Sequence, residues 1–308
     1  MIESTGYLDF YRGRRVLITG GLGFIGSSLA HRLAELGAEI VIVDALLKDT
    51  GGRLDNVAGI AGAVRVHVGD MRDANCMNTL VRDREVIFNL AGQVSHIDSM
   101  RDPYLDLEVN CRSHLTLLEA CRHHNPRAKV VFAGTRQVYG RPDSLPVDES
   151  HLVRPTDVNG INKVAGEYYH LVYDSVFDIP ACSLRLTNVY GPRQLIRHNR
   201  QGFIGWFVRL AVEDRTIQIY GDGRQIRDFV FVSDAADAFL RAGACDACRG
   251  QIFNVGGSEP IAHRDLATLL TEIAGSGRIE LVAWPPEKKA IDIGSFYANS
   301  EKFTRTTG

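Results

Sequence analysis

The chain has 308 residues, 45% hydrophobic and 23% charged, with 35 basic against 37 acidic side chains and a formal charge of −2. That length suits one large α/β unit or two modest ones, and it buries a sizeable core without disulfide staples. The near-neutral balance argues against nucleic acid or an anionic membrane as the main partner, because no strong basic field backs either attraction. Met1 to Arg15 carries Glu3, Asp9 and several arginines, with no apolar run that could serve as a leader. No stretch approaches the roughly 20 apolar residues of a membrane span. The expectation is a cytoplasmic protein with reduced thiols. Cys245 and Cys248 form one CxxC, but no second pair or suitably spaced histidine accompanies it, so no metal is expected.

In chain order, Arg15–Thr19 is a short apolar run, and 24–36 follows with helical spacing, closed by Gly37. Further apolar runs occupy 39–43, 64–68, 86–90, 129–133 and 181–186, with helical patterns near 106–122 and 159–173. Mostly apolar strands separated by helices predict a parallel sheet covered on both faces, and right-handed crossovers make it doubly wound. After about Pro192 the loops lengthen, Gly221-Asp222-Gly223-Arg224 clusters, and strands shorten to 217–220, 229–232 and 252–255. This predicts a smaller C-terminal lobe over residues 192–308, packed on the carboxyl ends of a sheet built by residues 1–191. The boundary is soft, and the chain can cross it more than once.

The first strand runs into Gly20-Gly21-Leu22-Gly23-Phe24-Ile25-Gly26, and a helix follows. Glycines there permit a tight turn, close approach of main chain to a pyrophosphate, and close helix–strand packing. The helix N-terminus offers unpaired N–H groups to the phosphates. Asp44 ends the second strand, where a carboxylate can accept both adenosine ribose hydroxyls and would repel a 2′-phosphate. The cofactor expected is therefore NAD, held by Gly20, Gly23, Phe24, Ile25, Gly26 and Asp44.

These residues resemble the TGGxGFIG opening of the extended short-chain dehydrogenases/reductases, a family that includes nucleotide-sugar epimerases and dehydratases. Further stretches match in order: 69–73 (GDMRD), 89–92 (NLAG), 138–140 (VYG), 188–192 (NVYGP), 221–229 and 254–256 (NVG). Ala91-Gly92-Gln93-Val94 with 106–110 is most similar to the branch that includes CDP-sugar 2-epimerases. The resemblance implies a Rossmann cofactor domain, a nucleotide-sugar substrate and a homodimer paired through the helices near 106–122 and 159–173. It puts Asp70 and Met71 on the adenine, and Leu90, Ala91 and Gly92 along the cofactor with Asn110 close behind them. Gln93 and Ser95 fall near the sugar, and Asn188 and Arg227 hold the diphosphate. A buried diphosphate needs amide donors and a guanidinium. The competing role for Arg227 is a surface ion pair with Asp228 or Asp222.

The resemblance also implies oxidation of a sugar carbinol by NAD and later return of the hydride. The usual carriers are a Ser/Thr four residues before the Tyr of VYG, and a Tyr-x-x-x-Lys on a helix. Thr135 and Lys163 occupy the first and last of these positions, but Asn159 stands where the tyrosine belongs. A carboxamide does not titrate in the working pH range and cannot be the same base. The base is then another group (Thr135, Lys163, Glu167, His96 or a water), or Asn159 only positions a substrate needing less proton transfer, or the protein binds without turnover. Glu167 lies one turn beyond Lys163 and could simply pair with it; for His96 a satisfied structural role is the commoner one. Arg136 and Gln137 follow Thr135, where the family's 4,6-dehydratases carry Asp-Glu, so an epimerase-like reaction is expected over dehydration.

Overall fold

The computed structural model describes residues 6–308; the first five residues, part of the stretch read for a leader, lie outside the described residues. The strands are β1 (Arg15–Thr19), β2 (Glu39–Asp44), β3 (Val64–Val68), β4 (Val86–Asn89), β5 (Lys129–Thr135), β6 (Ala181–Leu186) and β7 (Asn188–Tyr190). They continue as β8 (Thr216–Tyr220), β9 (Ile226–Arg227), β10 (Phe229–Phe231), β11 (Ile252–Val255), β12 (Ile261–Ala262) and β13 (Arg278–Val282). The helices are α1 (Gly6–Phe10), α2 (Phe24–Glu35), α3 (Ala74–Leu80), α4 (His96–Arg101), α5 (Pro103–Leu107) and α6 (Ser113–His124). After them come α7 (Val158–Phe177), α8 (Phe203–Val212), α9 (Val232–Ala244), α10 (His263–Ala274), α11 (Pro286–Ala290) and α12 (Glu301–Thr307).

Seven strands form one sheet in the order β11-β6-β5-β4-β1-β2-β3, and every neighbouring pair is parallel. Both faces of the inner strands are covered, which is why they read as mostly apolar runs, whereas the edge strand β3 alternates valine with polar residues and is partly exposed. Val16 and Ile18 of β1 pack on one face with Leu29, Leu33, Phe239 and Phe303 from α2, α9 and α12. Leu17 points to the other face, among Met77, Leu80, Leu117 and Tyr173 from α3, α6 and α7. The strand order reverses between β1 and β4, and such a switch point opens a crevice at the carboxyl ends of the strands.

A separate cluster of Phe207, Leu210, Ile217, Ile219 and Ala267 holds α8, β8 and α10 together, with β13 paired parallel to β8. Residues beyond 192 do not all stay there, since β11 pairs with β6 and α9 packs on the large sheet. Two sequence readings need correction. The helical pattern near 106–122 is α5, a π turn over Glu108–Arg112, and α6. The strand read over 229–232 ends at Phe231, and Val232 opens α9. All six cysteines are free, and Cys245 and Cys248 are buried.

Candidate active site

A cleft of about 1290 Å³ runs along the carboxyl ends of the sheet and under the small lobe. Its wall includes Gly20, Gly23, Phe24, Ile25 and Gly26 at one end, and Thr135, Asn159, Lys163, Asn188 and Arg227 at the other. Asp44, Asp70, Met71, Leu90, Ala91, Gly92, Ser95 and His96 also face it.

The glycine loop is built from main chain. Gly20 has φ +67°, and a Cβ on it would lie 2.8 Å from the Ala91 main chain. A Cβ on Gly26 would lie 2.3 Å from the Gly20 carbonyl. These contacts let α2 start flush against β1, and its N-cap, Gly23, supplies no side-chain cap. The first N–H groups of a 12-residue helix are thus turned to the cleft with no capping side chain. Thr19 joins the two crossover loops: its hydroxyl accepts the Leu90 and Ala91 amides, each at 3.1 Å. Asp44 accepts the Leu22 amide at 3.1 Å and the Leu46 amide at 2.9 Å. Burial pushes its carboxyl up against the pull of those amides. Asp70 pairs with Arg72 at 2.6 Å, which holds its carboxyl below the usual range.

The opposite end rests on buried side chains. Asp106, 1% exposed, accepts three carboxamides: Asn110 at 3.0 Å, Asn159 at 3.2 Å and Asn162 at 2.8 Å. The Asn159 amide also donates to the Gln93 carbonyl at 2.8 Å. Lys163 donates to the Ala133 carbonyl at 3.2 Å and lies 5.1 Å over the Phe132 ring. Burial pushes its ammonium down to about 8, opposed by the Asp106 charge. Thr135, at the end of β5, accepts the Gln137 amide at 3.2 Å.

Asp157 caps α7, accepting the Gly160 amide at 2.7 Å and Gln137 Nε2 at 2.8 Å. His96 Nδ1 approaches the same carboxylate at 3.0 Å, close enough for an ion pair but not aligned as a linear hydrogen bond. Burial alone would raise the Asp157 carboxyl; His96 first, then Gly160 and Gln137, outweigh it and hold it low.

Two guanidiniums face each other beyond Thr135. Arg136 donates to Asn188 Oδ1 at 3.0 Å, and its Nη1 is buried without a partner. Arg227 donates to the Ile226 carbonyl at 2.8 Å and reaches Asp292 at 3.7 Å. Burial first, then the Arg136 charge, pushes Arg227 down to about 9. The pair with Asp222 or Asp228 weighed for Arg227 does not form. Asp222 stands 3.8 Å from Arg224, and Asp228 accepts the Ala298 amide at 3.1 Å.

Not every expected residue reaches the cleft. Asn110 is fully buried behind the loop, accepting the Gln93 amide at 3.1 Å and donating to its carbonyl at 2.8 Å. The Gln93 side chain bonds back to the Ser95 carbonyl at 3.0 Å. Asn110 thus sits close behind the cofactor loop, while the Gln93 side chain is spent on the loop itself, so its expected contact with the sugar is corrected to support of that loop. Ser95 caps α4, accepting the Asp98 amide at 3.2 Å. Glu167 pairs with Arg185, Oε1 to Nη2 at 2.5 Å, and accepts Ser183 at 2.7 Å. It is fully buried, so neither the pairing with Lys163 nor service as a base holds.

Residues 16–256 match the family model described as NAD dependent epimerase/dehydratase family. The chain belongs to that family. It is 37% identical to a UDP-glucose 4-epimerase of Mycolicibacterium smegmatis over 85% of this chain and 83% of that one. It is 31% identical to a CDP-paratose 2-epimerase of Salmonella typhi, over 79% of each. A Thermus thermophilus UDP-glucose 4-epimerase solved with NAD superposes with a TM-score of 0.84 at 32% identity, covering 94% of this chain and 92% of that one.

The epimerase/dehydratase family is NAD-dependent, and the residues at the glycine end fit that cofactor. A Cβ at Gly20 or Gly26 would strike the loop, the α2 N-terminus has no side-chain cap, and the Asp44 carboxylate stands in the cleft wall. Arg136, His263 and Trp284 also line the cleft, and sequence reasoning did not assign them to the site. Arg136 carried a signal, adjacency to Thr135. His263 and Trp284 lie beyond any motif and reach the cleft only through the lobe's packing.

Proposed function

We propose that the protein is an NAD-dependent, epimerase-like enzyme acting on a nucleotide sugar through transient oxidation of the sugar. In this reading its acid/base site is altered at Asn159, the position where the resemblance asks for a tyrosine. The observation that carries the reading is the one continuous cleft shared by the Gly20–Gly26 loop, Thr135, Lys163 and Arg227. Similarity to a UDP-glucose 4-epimerase and a CDP-paratose 2-epimerase supports the substrate class.

When bound, the dinucleotide supplies a reversible acceptor for a carbinol hydride. The glycine loop and α2 hold its pyrophosphate, Asp44 its adenosine ribose, and Asp70 and Met71 its adenine. Leu90, Ala91 and Gly92 pack along it, backed by Asn110. Lys163 fixes the nicotinamide ribose, and Thr135 donates to the sugar oxygen. Asn188 and Arg227 take the diphosphate, which relieves the repulsion between Arg227 and Arg136. Gln93 and Ser95 shape the sugar side through their loop, and Asn159 positions that loop. Residues 1–191 bind the dinucleotide and 192–308 the substrate, with α9 and β11 crossing back.

The protein acts in the cytoplasm as a homodimer. Ile161, Tyr168, Val172 and Val176 leave an exposed apolar stripe along α7, which supports pairing there. Among the described residues no helix is long and apolar enough to cross a membrane. Sedimentation of the wild type should give twice the chain mass, and of Val172→Glu the single chain.

A second reading, binding without turnover, draws support from the Asn159 amide, both of whose hydrogens are engaged. The deciding experiment incubates the protein with NAD and UDP-, dTDP-, CDP- and GDP-sugars in deuterated water, followed by NMR. A changed sugar configuration supports epimerisation, and deuterium at a ring carbon shows proton abstraction beside a ketone. Absence of both turnover and transient reduced nicotinamide across the whole panel overturns the redox reading.

A further inference from the structure

Oxidising a carbinol requires a group that takes the hydroxyl proton and later gives it back. Around the Thr135 end most candidates are closed. The Asn159 amide does not titrate, and its hydrogens go to Gln93 and Asp106. Asp106 is sealed beneath three carboxamides. Glu167 is sealed by Arg185 and Ser183. The Asp157 side chain has no exposure. Lys163 is engaged with the Ala133 carbonyl.

His96 differs from all of these. Its side chain is 35% exposed and lines the cleft. Nδ1 faces Asp157 at 3.0 Å, and Nε2 has no hydrogen-bond partner among the described residues. A carboxylate on one nitrogen favours the tautomer with its proton there and leaves the other nitrogen as an acceptor. The imidazole is also tied to position 159 from two sides. Asp157 precedes Asn159 by two residues on the α7 cap. The hydroxyl of Ser99, one turn along α4 from His96, accepts the main-chain N–H of Asn159 at 3.2 Å. On the outer side of α4, Asp98 is met by Arg200 at 3.3 Å and does not compete for the ring.

We propose that His96, oriented by Asp157, is the acid/base that exchanges the proton of the sugar hydroxyl. The inference rests on the nucleotide-sugar reading above. In the forward step the O–H bond breaks and its proton passes to Nε2. The carbinol carbon loses its hydride to the nicotinamide dinucleotide, so the sugar is oxidised to a ketone as the dinucleotide is reduced. The return step restores both.

The test compares wild type, His96→Gln, His96→Ala and Asp157→Asn, with the substrate taken from the panel above. His96→Gln should keep sugar-nucleotide affinity by calorimetry and lose about 10²–10⁴ in the single-turnover rate of nicotinamide reduction. Added imidazole should restore His96→Ala and leave His96→Gln unchanged. Nitrogen NMR of histidine-labelled protein without substrate should show the Nδ1–H tautomer at His96, lost in Asp157→Asn. A His96→Gln rate within about threefold of wild type overturns the inference and leaves the functional reading standing. So does absence of imidazole rescue in a His96→Ala variant that still binds. A wild type that binds sugar nucleotides but never reduces the dinucleotide overturns both.

Discussion

At the glycine loop the cleft is walled by main chain pressed against main chain; at Thr135 it is walled by side chains that hold one another. The first arrangement leaves no room for change, since a methyl group at Gly26 would meet the Gly20 carbonyl at 2.3 Å. The second is a web of carboxamides, carboxylates and an imidazole, in which each side chain is placed by its neighbours. The cofactor end is therefore fixed by backbone contact, and the substrate end by side-chain contact. Fold alone does not set its reaction.

The sharpest way to break this contrast is to remove the anchor under the substrate end. Glu167→Ala leaves the Arg185 guanidinium buried and uncompensated, which should cost about 3–5 kcal/mol in urea unfolding. An unchanged midpoint would show that α7 is held by apolar packing instead. At the other end, Gly26→Ala should weaken NAD binding about 100-fold, close to 3 kcal/mol, with a smaller loss of stability. Calorimetry showing unchanged affinity would mean that the loop yields more readily than its contacts suggest.

The smallest effect tests the seam between the two ends. Asn89 bonds Thr19 at 2.9 Å, and its amide meets His114 Nδ1 and His170 Nε2, each at 3.1 Å. Both ring nitrogens must be acceptors, so both rings are neutral. Burial pushes His170 down to about 4 from 6.5 and His114 well below its usual value. Below about 6.5 the unfolded chain takes up protons that the folded chain refuses, so stability falls as pH drops toward about 4. From about pH 7 to pH 5 the loss from His170 alone should be on the order of 2 kcal/mol. His170→Gln should flatten that slope; an unaltered slope would assign it to other groups.

The same contrast governs what could be read in the amino-acid sequence. Strands 15–19, 64–68 and 181–186 were legible to the residue, the first and last because burial on both faces enriches them in apolar residues and the edge strand 64–68 because its valines alternate with polar residues. The glycine loop was legible because strand, turn and helix are adjacent in the chain. The π turn at Glu108–Arg112 was not, since a helical period does not register one wide turn. That turn buries Asn110 behind the cofactor loop. The pairing of His96 with Asp157 was hidden because it depends on how α4 meets the start of α7. Glu167 was misread for a related reason: its partner, Arg185, comes from β6.

Helix α7 is fastened twice along its inward face. Asp157 ties its first turn to Gln137 and His96, and Glu167 bolts its third turn to Arg185. Position 159 hangs between these fastenings like an interchangeable tooth on a fixed rack. Its side chain joins the Gln93 carbonyl to Asp106, so a change at this one position alters the polar lining between two fixed points. Two proteins with near-superposable chains can then move a substrate proton with different atoms, and inheritance of shape becomes a poor record of inheritance of chemistry.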